Sequence, residues 1–284
     1  MQGIDREQID AFIDQALHED VRDGDHTSLA TIPADKRDKA KLLVKDVGVI
    51  AGVDLAKMIF EKVDPTYEFQ EFISDGSIIK PKDVAFFVTC NSRALLQAER
   101  LVLNTMQRMS GIATLSYRFR VEVEGYPVKI LDTRKTTPLI RFLEKWAVKI
   151  GGCENYRYGL YDWIMIKDNH IDASGGIQEA ILSANQYLKD KNMDLGITVE
   201  VRNLVELAKV LEVGGVTRIM LDNFELPILV EAVDTIGDRF ETEASGGVTL
   251  KSVRAIAKTG VNYISSGALT HSAGSLDLSL KVVK

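Results

Sequence analysis

From Val128 to Ser265 the chain alternates short β-branched runs with helical segments, and no other feature narrows its fold as far. The runs fall at 128–131, 163–166, 197–201, 218–221, 240–244 and 263–265 (VKIL, WIMI, ITVEV, RIML, FETEA, YIS). Between them, apolar spacing predicts helices over 138–150, 177–189, 204–213, 227–236 and 250–259. Repeated strand–helix units demand parallel strands, either in an open, doubly wound sheet or curled into a barrel. The strand ends favour the barrel. In order they carry Arg134 and Lys135, Lys167, Glu200, Asp222, Ser245-Gly246-Gly247, and Ser266-Gly267. A doubly wound sheet concentrates its chemistry at one switch point, whereas a barrel collects groups from many strands at its C-terminal rim. Six strands are read, so eight-stranded closure is not implied.

The part ahead of this rhythm is mixed. Residues 5–21 place Ile9, Phe12, Ile13, Ala16 and Leu17 at helical spacing, and 67–73 and 84–90 read as strands with turns at Asp75-Gly76 and near Pro81. A long helix is predicted over 93–117, with Gly111 as a point of bending and a domain junction near its end. The expected domains are 1–115, joined by the segment 270–284, and 116–269.

Composition removes whole classes. With 45% hydrophobic and 27% charged residues, the chain is neither disordered nor fibrous. A net charge of -6 argues against a nucleic-acid surface, so any cation cluster is local and informative. Cys90 and Cys153 lie far apart without a Cys-x-x-Cys pair, which leaves no disulfide framework or zinc site to expect. The opening MQGIDREQID is polar and acidic, and no run reaches transmembrane length, so a cytoplasmic protein without membrane contact is expected.

Four groups of residues carry the chemistry. LDTRKTTP (131–138) sets Thr133, Arg134 and Lys135 at a strand end, where they can bind carboxylate or phosphate, with Pro138 placed to open a helix. GGCENYRYGLYDWIMIKDNHI (151–171) brings Arg157 and Lys167, whose stem should run along the barrel interior and so needs an anionic partner. His170 in this stretch reads as a structural histidine, in a loop or as a cap, rather than a catalytic base. Glu200 and Asp222 form an acidic half able to bind sugar hydroxyls, magnesium with its waters, or developing positive charge. ASGGV and YISSGALTHS offer bare backbone at Ser245 to Gly247 and at Ser266-Gly267, read as phosphate seats at helix N-termini. No Walker A loop or GxGxxG occurs.

These pieces, together with HEDVRDGDHTS, ERLVLNTMQRMSGIAT, GLYDWIMIKDNHI, TVEV and IMLDNF in their order, resemble the quinolinate phosphoribosyltransferase family. The resemblance implies an α/β protein: an irregular open α/β barrel of the type II phosphoribosyltransferase kind, with an N-terminal α/β sandwich domain. It implies transfer of phosphoribose from phosphoribosyl pyrophosphate to quinolinate with decarboxylation, giving nicotinate mononucleotide for NAD synthesis. It further implies Mg2+ and a homodimer, sometimes built into a hexamer, in which Arg100 reaches the neighbouring subunit's site. By the same likeness Thr133, Arg134, Lys135, Tyr156, Arg157, Lys167 and His271 would bind carboxylates and phosphates. Glu200 and Asp222 would serve ribose and metal, and Ser245, Gly246, Gly247, Ser266 and Gly267 the 5-phosphate. Lys135, Lys167, Glu200 and Asp222 would be catalytic. One position departs: Tyr156 stands where the family has histidine, and it cannot carry positive charge near neutrality. The competing readings are a related phosphoribosyltransferase without decarboxylation, a Schiff-base barrel aldolase using Lys167, and a binding protein that releases no pyrophosphate.

Overall fold

The structure, a computed structural model, describes residues 5–283; the opening MQGI lies outside them. In chain order the elements begin with α1 (Arg6–Val21), α2 (His26–Thr31), β1 (Arg37–Val44), β2 (Gly48–Val49), α3 (Val53–Val63), β3 (Glu68–Glu71), β4 (Ile78–Ile79), β5 (Val84–Asn91) and α4 (Ser92–Glu122). Next come β6 (Lys129–Leu131), α5 (Arg141–Ile150), β7 (Ile164–Ile166), α6 (Asp168–Ser174), α7 (Ile177–Lys191), β8 (Ile197–Val201) and α8 (Leu204–Val213). The chain ends through β9 (Arg218–Asp222), α9 (Leu226–Ile236), β10 (Glu241–Ser245), α10 (Val253–Ala257), β11 (Tyr263–Ser265), α11 (Ala268–His271) and β12 (Leu278–Val282). By internal contacts it divides into two compact units: Met1–Tyr117 with Thr137–Gly152 and Ala273–Lys284, and Arg118–Thr136 with Cys153–Ser272.

In the first unit an antiparallel sheet runs β12–β1–β5–β3. Period-two alternation buries one face: Ala40, Leu42 and Val44 of β1 and Phe86, Val88 and Cys90 of β5 are all within 1% of full burial. The opposite face is wetter, and Lys39 lies 4.4 Å above the Phe87 ring. Helices α3 and α4 supply the buried partners, with Phe60 edge-on to Phe86 at 6.3 Å and the Ser110 hydroxyl accepting from the Ala51 N–H at 2.9 Å. The carboxylate of Asp75 accepts the Val53 N–H at 2.8 Å, satisfying a donor at the start of α3. Helix α4 runs to Glu122, beyond the predicted 117. Gly111 is required for a close approach: a Cβ there would meet the carbonyl oxygen of Gly274.

In the second unit six parallel strands run β6–β11–β10–β9–β8–β7. The first strand pairs with the last, and the second forms the far edge, which is the order of a barrel left open between β6 and β7. Glu154 adds one parallel bridge beside Leu131 at that seam. All six predicted strands are present, within a residue or so at each end. The strand faces are unusual. Ile197, Val199, Val201, Ile219, Leu221, Ala244 and Ile264 are buried on the outer face, while Thr198 and Glu200, Arg218 and Asp222, and Glu243 and Ser245 share the inner one.

Two helix starts differ from the reading. The helix expected from Pro138 begins at Arg141, because Glu144 accepts from the Thr137 N–H at 3.0 Å and its hydroxyl at 2.8 Å, holding 137–140 as a loop with Leu139 at φ 68°. The helix expected over 250–259 shrinks to α10, after a turn in which the Thr249 N–H donates to the Ser252 hydroxyl.

Candidate active site

The C-terminal ends of the barrel strands surround a cavity of about 820 Å³, lined by residues of the second unit alone. Its walls carry Arg134, Lys135, Arg157 and Lys167 against two carboxylates, Glu200 and Asp222, so the cavity holds surplus positive charge in an acidic chain. Every site residue named above except Arg100 lines this cavity. Arg100 is exposed on α4.

Each group is held by local structure. The Thr133 hydroxyl accepts the Lys135 N–H at 3.0 Å, and the Thr270 hydroxyl donates to the Lys135 carbonyl at 2.8 Å, so the dibasic loop is tied at both ends. The Lys135 stem then runs past Gly267, where a Cβ would come within 2.9 Å of it and 3.0 Å of the His271 ring. His271 itself bonds the Ser272 hydroxyl at 2.7 Å. Asp132, fully buried, accepts the Tyr156 N–H at 2.9 Å and so fixes the loop that presents Arg157. Arg157 donates to the Trp163 carbonyl at 3.1 Å. Burial and the neighbouring Arg134 both lower its pKa, so two cations repel each other in a partly dry site and an anion between them would relieve both.

Lys167 caps β7, and its ammonium pairs directly with Glu200 from β8. This side chain is 41% exposed and engaged by a carboxylate, not desolvated in an apolar pocket, so the aldolase reading is not favoured. His170 accepts the Lys167 N–H at 3.0 Å and is a capping residue, as read. Asp222 is gripped by the Ser245 hydroxyl and the Asn223 amide, both at 2.7 Å. Asn223 is left-handed at φ 56°, and a Cβ on Gly246 would collide with its side chain.

Gly267 caps the start of α11, as read, whereas the 245–247 seat differs from its reading as a helix N-terminus. Gly246 and Gly247 are both left-handed, at φ 90° and 59°, and a turn separates them from the five-residue α10; α11 after Gly267 has only four residues. Backbone exposed by consecutive left-handed glycines, rather than a helix end, lines the cavity there. Ser266 turns its hydroxyl to the Val248 carbonyl at 3.0 Å, steadying that loop.

The sequence pattern described as quinolinate phosphoribosyl transferase, N-terminal domain, matches residues 25–110, and that of the C-terminal domain matches 112–281. This chain belongs to the quinolinate phosphoribosyltransferase family. Quinolinate phosphoribosyltransferase [decarboxylating] 1b of Nicotiana tabacum is 49% identical over 95% of this chain and 81% of its own length. The chloroplastic nicotinate-nucleotide pyrophosphorylase [carboxylating] of Arabidopsis thaliana is 48% identical over 96% and 82%. NadC from Streptococcus pyogenes superposes with a TM-score of 0.93 at 35% identity, covering all of both chains.

For a quinolinate phosphoribosyltransferase, the residues that sequence reasoning missed are telling. Met165, Met220, Asn223 and Ser265 line the cavity, and Asp132 positions it. Met165 and Met220 were hidden because apolar strand residues read as core. Asn223 gave a signal that went unused, since asparagine tolerates the left-handed backbone a sharp strand end requires.

Proposed function

We propose that this cavity transfers phosphoribose from phosphoribosyl pyrophosphate to quinolinate and releases CO2, a reading supported by the names of its relatives, quinolinate phosphoribosyltransferase [decarboxylating] and nicotinate-nucleotide pyrophosphorylase [carboxylating]. The supporting observation is the cation cluster: Arg134, Lys135, Arg157 and Lys167 converge on one cavity and need anions. Quinolinate is a dianion and the phosphoribosyl donor carries more charge still, so together they supply what the cluster lacks. Arg134, Arg157 and Lys167 would take the carboxylates, and Lys135 with the 245–247 loop the phosphates. Thr133, Tyr156, Ser266, Gly267 and His271 complete the wall.

The quinolinate nitrogen forms a bond to the anomeric carbon as the carbon–oxygen bond to pyrophosphate breaks. Glu200 and Asp222 stabilise the positive charge that develops on the sugar. The ring nitrogen then bears a positive charge, which accepts the electron density left when the adjacent carboxylate departs as CO2; the ring carbon takes up a proton. No group of three or more His, Cys, Asp or Glu among the described residues forms a metal cage. The two carboxylates suit Mg2+ that keeps its waters and takes other oxygens from substrate phosphates, where it would neutralise the leaving pyrophosphate. Glu200 and Asp222 are the residues that would face it.

Arg100 is exposed and lines no part of its own chain's cavity, which fits service to a partner's site in a homodimer. Inactive Arg100→Ala and Lys167→Ala chains, mixed after dissociation, should then recover activity; verified mixed dimers without recovery would exclude it. No helix among the described residues is long and apolar enough to cross a membrane. Cys90 and Cys153 are buried, which is compatible with a reducing compartment, and the cytoplasm is the compartment proposed, although relatives carry mitochondrial and chloroplastic names. A fluorescent fusion found in an organelle would overturn that placement. The reaction itself is tested with quinolinate, phosphoribosyl pyrophosphate and Mg2+, following pyrophosphate and CO2 together. Equal release is expected; pyrophosphate without CO2 would identify a transferase that does not decarboxylate.

A further inference from the structure

Beneath the cavity the barrel interior holds a charged layer that the chemistry above does not use. Arg218 lies two residues before Met220, and Glu243 two before Ser245, so alternation turns both inward below the lining. Arg218 is 6% exposed and Glu243 is fully buried. The Arg218 Nη1 donates to Glu243 Oε2 at 3.1 Å, and its Nε and Nη2 donate to Glu241 Oε2 at 3.1 and 2.9 Å. Glu241 in turn accepts from the Tyr263 hydroxyl at 2.9 Å. One oxygen of Glu243, Oε1, has no hydrogen bond of ordinary geometry.

Stability alone is a poor reason for this arrangement. Buried ion pairs contribute little net stability compared with apolar residues of the same volume. Burial pushes the Glu243 carboxyl up, against the opposing pull of Ser265 and Arg218. Burial also opposes the charge on Arg218, yet Glu243 and Glu241 outweigh it and hold the guanidinium firmly protonated.

The guanidinium has a second set of neighbours. Its carbon lies 3.7 Å from the Tyr263 ring centroid, 5.2 Å from Tyr156 and 5.6 Å from Trp163. Tyr156 is the one of these three rings that lines the cavity. Its hydroxyl is 2.7 Å from the Thr198 hydroxyl, which also accepts from the Trp163 indole at 2.8 Å. The ring is therefore held at its tip by Thr198 and across its body by a cation.

We propose that Arg218 and Glu243 are positioning residues that lock Tyr156 as a rigid, uncharged floor for the substrate's aromatic ring. Glu243 aims the guanidinium and also acts directly on the Tyr156 hydroxyl, the guanidinium fixes the Tyr156 ring, and the ring sets how far the pyridine sinks beneath the cations. This rests on the quinolinate reading given above.

A double-mutant cycle tests it. Arg218→Met should raise KM for quinolinate about tenfold, in the range of coupling between touching residues, with KM for phosphoribosyl pyrophosphate nearly unchanged. In a Tyr156→Leu background the same substitution should change KM for quinolinate less than about twofold, because its effect passes through the lost ring. Glu243→Gln keeps the shape and should follow Arg218→Met in direction, while Arg218→Lys should restore part of the loss. Thermal unfolding accompanies each variant. Folded variants with unchanged KM for quinolinate, effects that multiply across the cycle, or failure of all three conservative and apolar variants to fold would each overturn the proposal. A wild-type protein that consumes no quinolinate would instead remove the reading on which it rests, and the proposal with it.

Discussion

The two sheets of this protein divide polar and apolar residues in opposite ways. In the antiparallel sheet, one face is largely apolar and packs on α3 and α4, with Asp38 and Glu71 at its margins, while charges such as Lys39 stay at the surface. In the parallel sheet most apolar residues occupy the outer face, and the concave side is given largely to Thr198, Glu200, Arg218, Asp222, Glu243 and Ser245, with Met165 and Met220 among them. One sheet is built around its core; the other is built around its reaction. A barrel can do this because residues alternate strictly between faces, so stability and chemistry are assigned to separate positions on the same strand.

The largest test of that division is Lys167→Ala. Loss of a preorganised cation should lower kcat/KM by about a hundredfold or more while leaving the melting temperature close to wild type. Near wild-type turnover would show that the inner face is not where the work is done. Next in size, Ile219→Ala on the outer barrel face and Leu42→Ala in the antiparallel sheet should each cost about 2 to 5 kcal/mol in chemical unfolding, with turnover per folded molecule little altered. An Ile219 variant as stable as wild type would erase the distinction between the faces. The smallest effect concerns Asp75, whose carboxyl is pushed up to about 6 by burial, from an ordinary 3.8. The folded chain therefore binds this proton more tightly than the unfolded chain, and the associated stability is present below pH 3.8 and lost as the pH rises through 6. Asp75→Asn should flatten that window in unfolding curves measured from pH 4 to 7, while the native profile slopes downward.

The same division explains what the sequence disclosed. The barrel strands were legible because their outer residues are β-branched and unbroken by loops, as in RIMLD. The polar groups at their ends were legible because they interrupt such runs. Arg218 and Glu243 were not, since a charge at a strand's start or middle carries no sign of which face it takes until the neighbouring strands are in register. β1 escaped notice because the alternation of Lys39, Ala40, Lys41 and Leu42 is short and is broken by Leu43, an apolar residue on the wetter face. β12 was invisible for a different reason: its partner strand lies at the far end of the chain.

That pairing has a consequence for synthesis. Strand β1 is flanked in the finished sheet by β5 and β12, and β12 leaves the ribosome only after every strand of the barrel has done so. Throughout that interval one edge of β1 is without its neighbour, an open template for wrong pairings. The alternating lysines at 39 and 41 put charge along this exposed strand for as long as it waits.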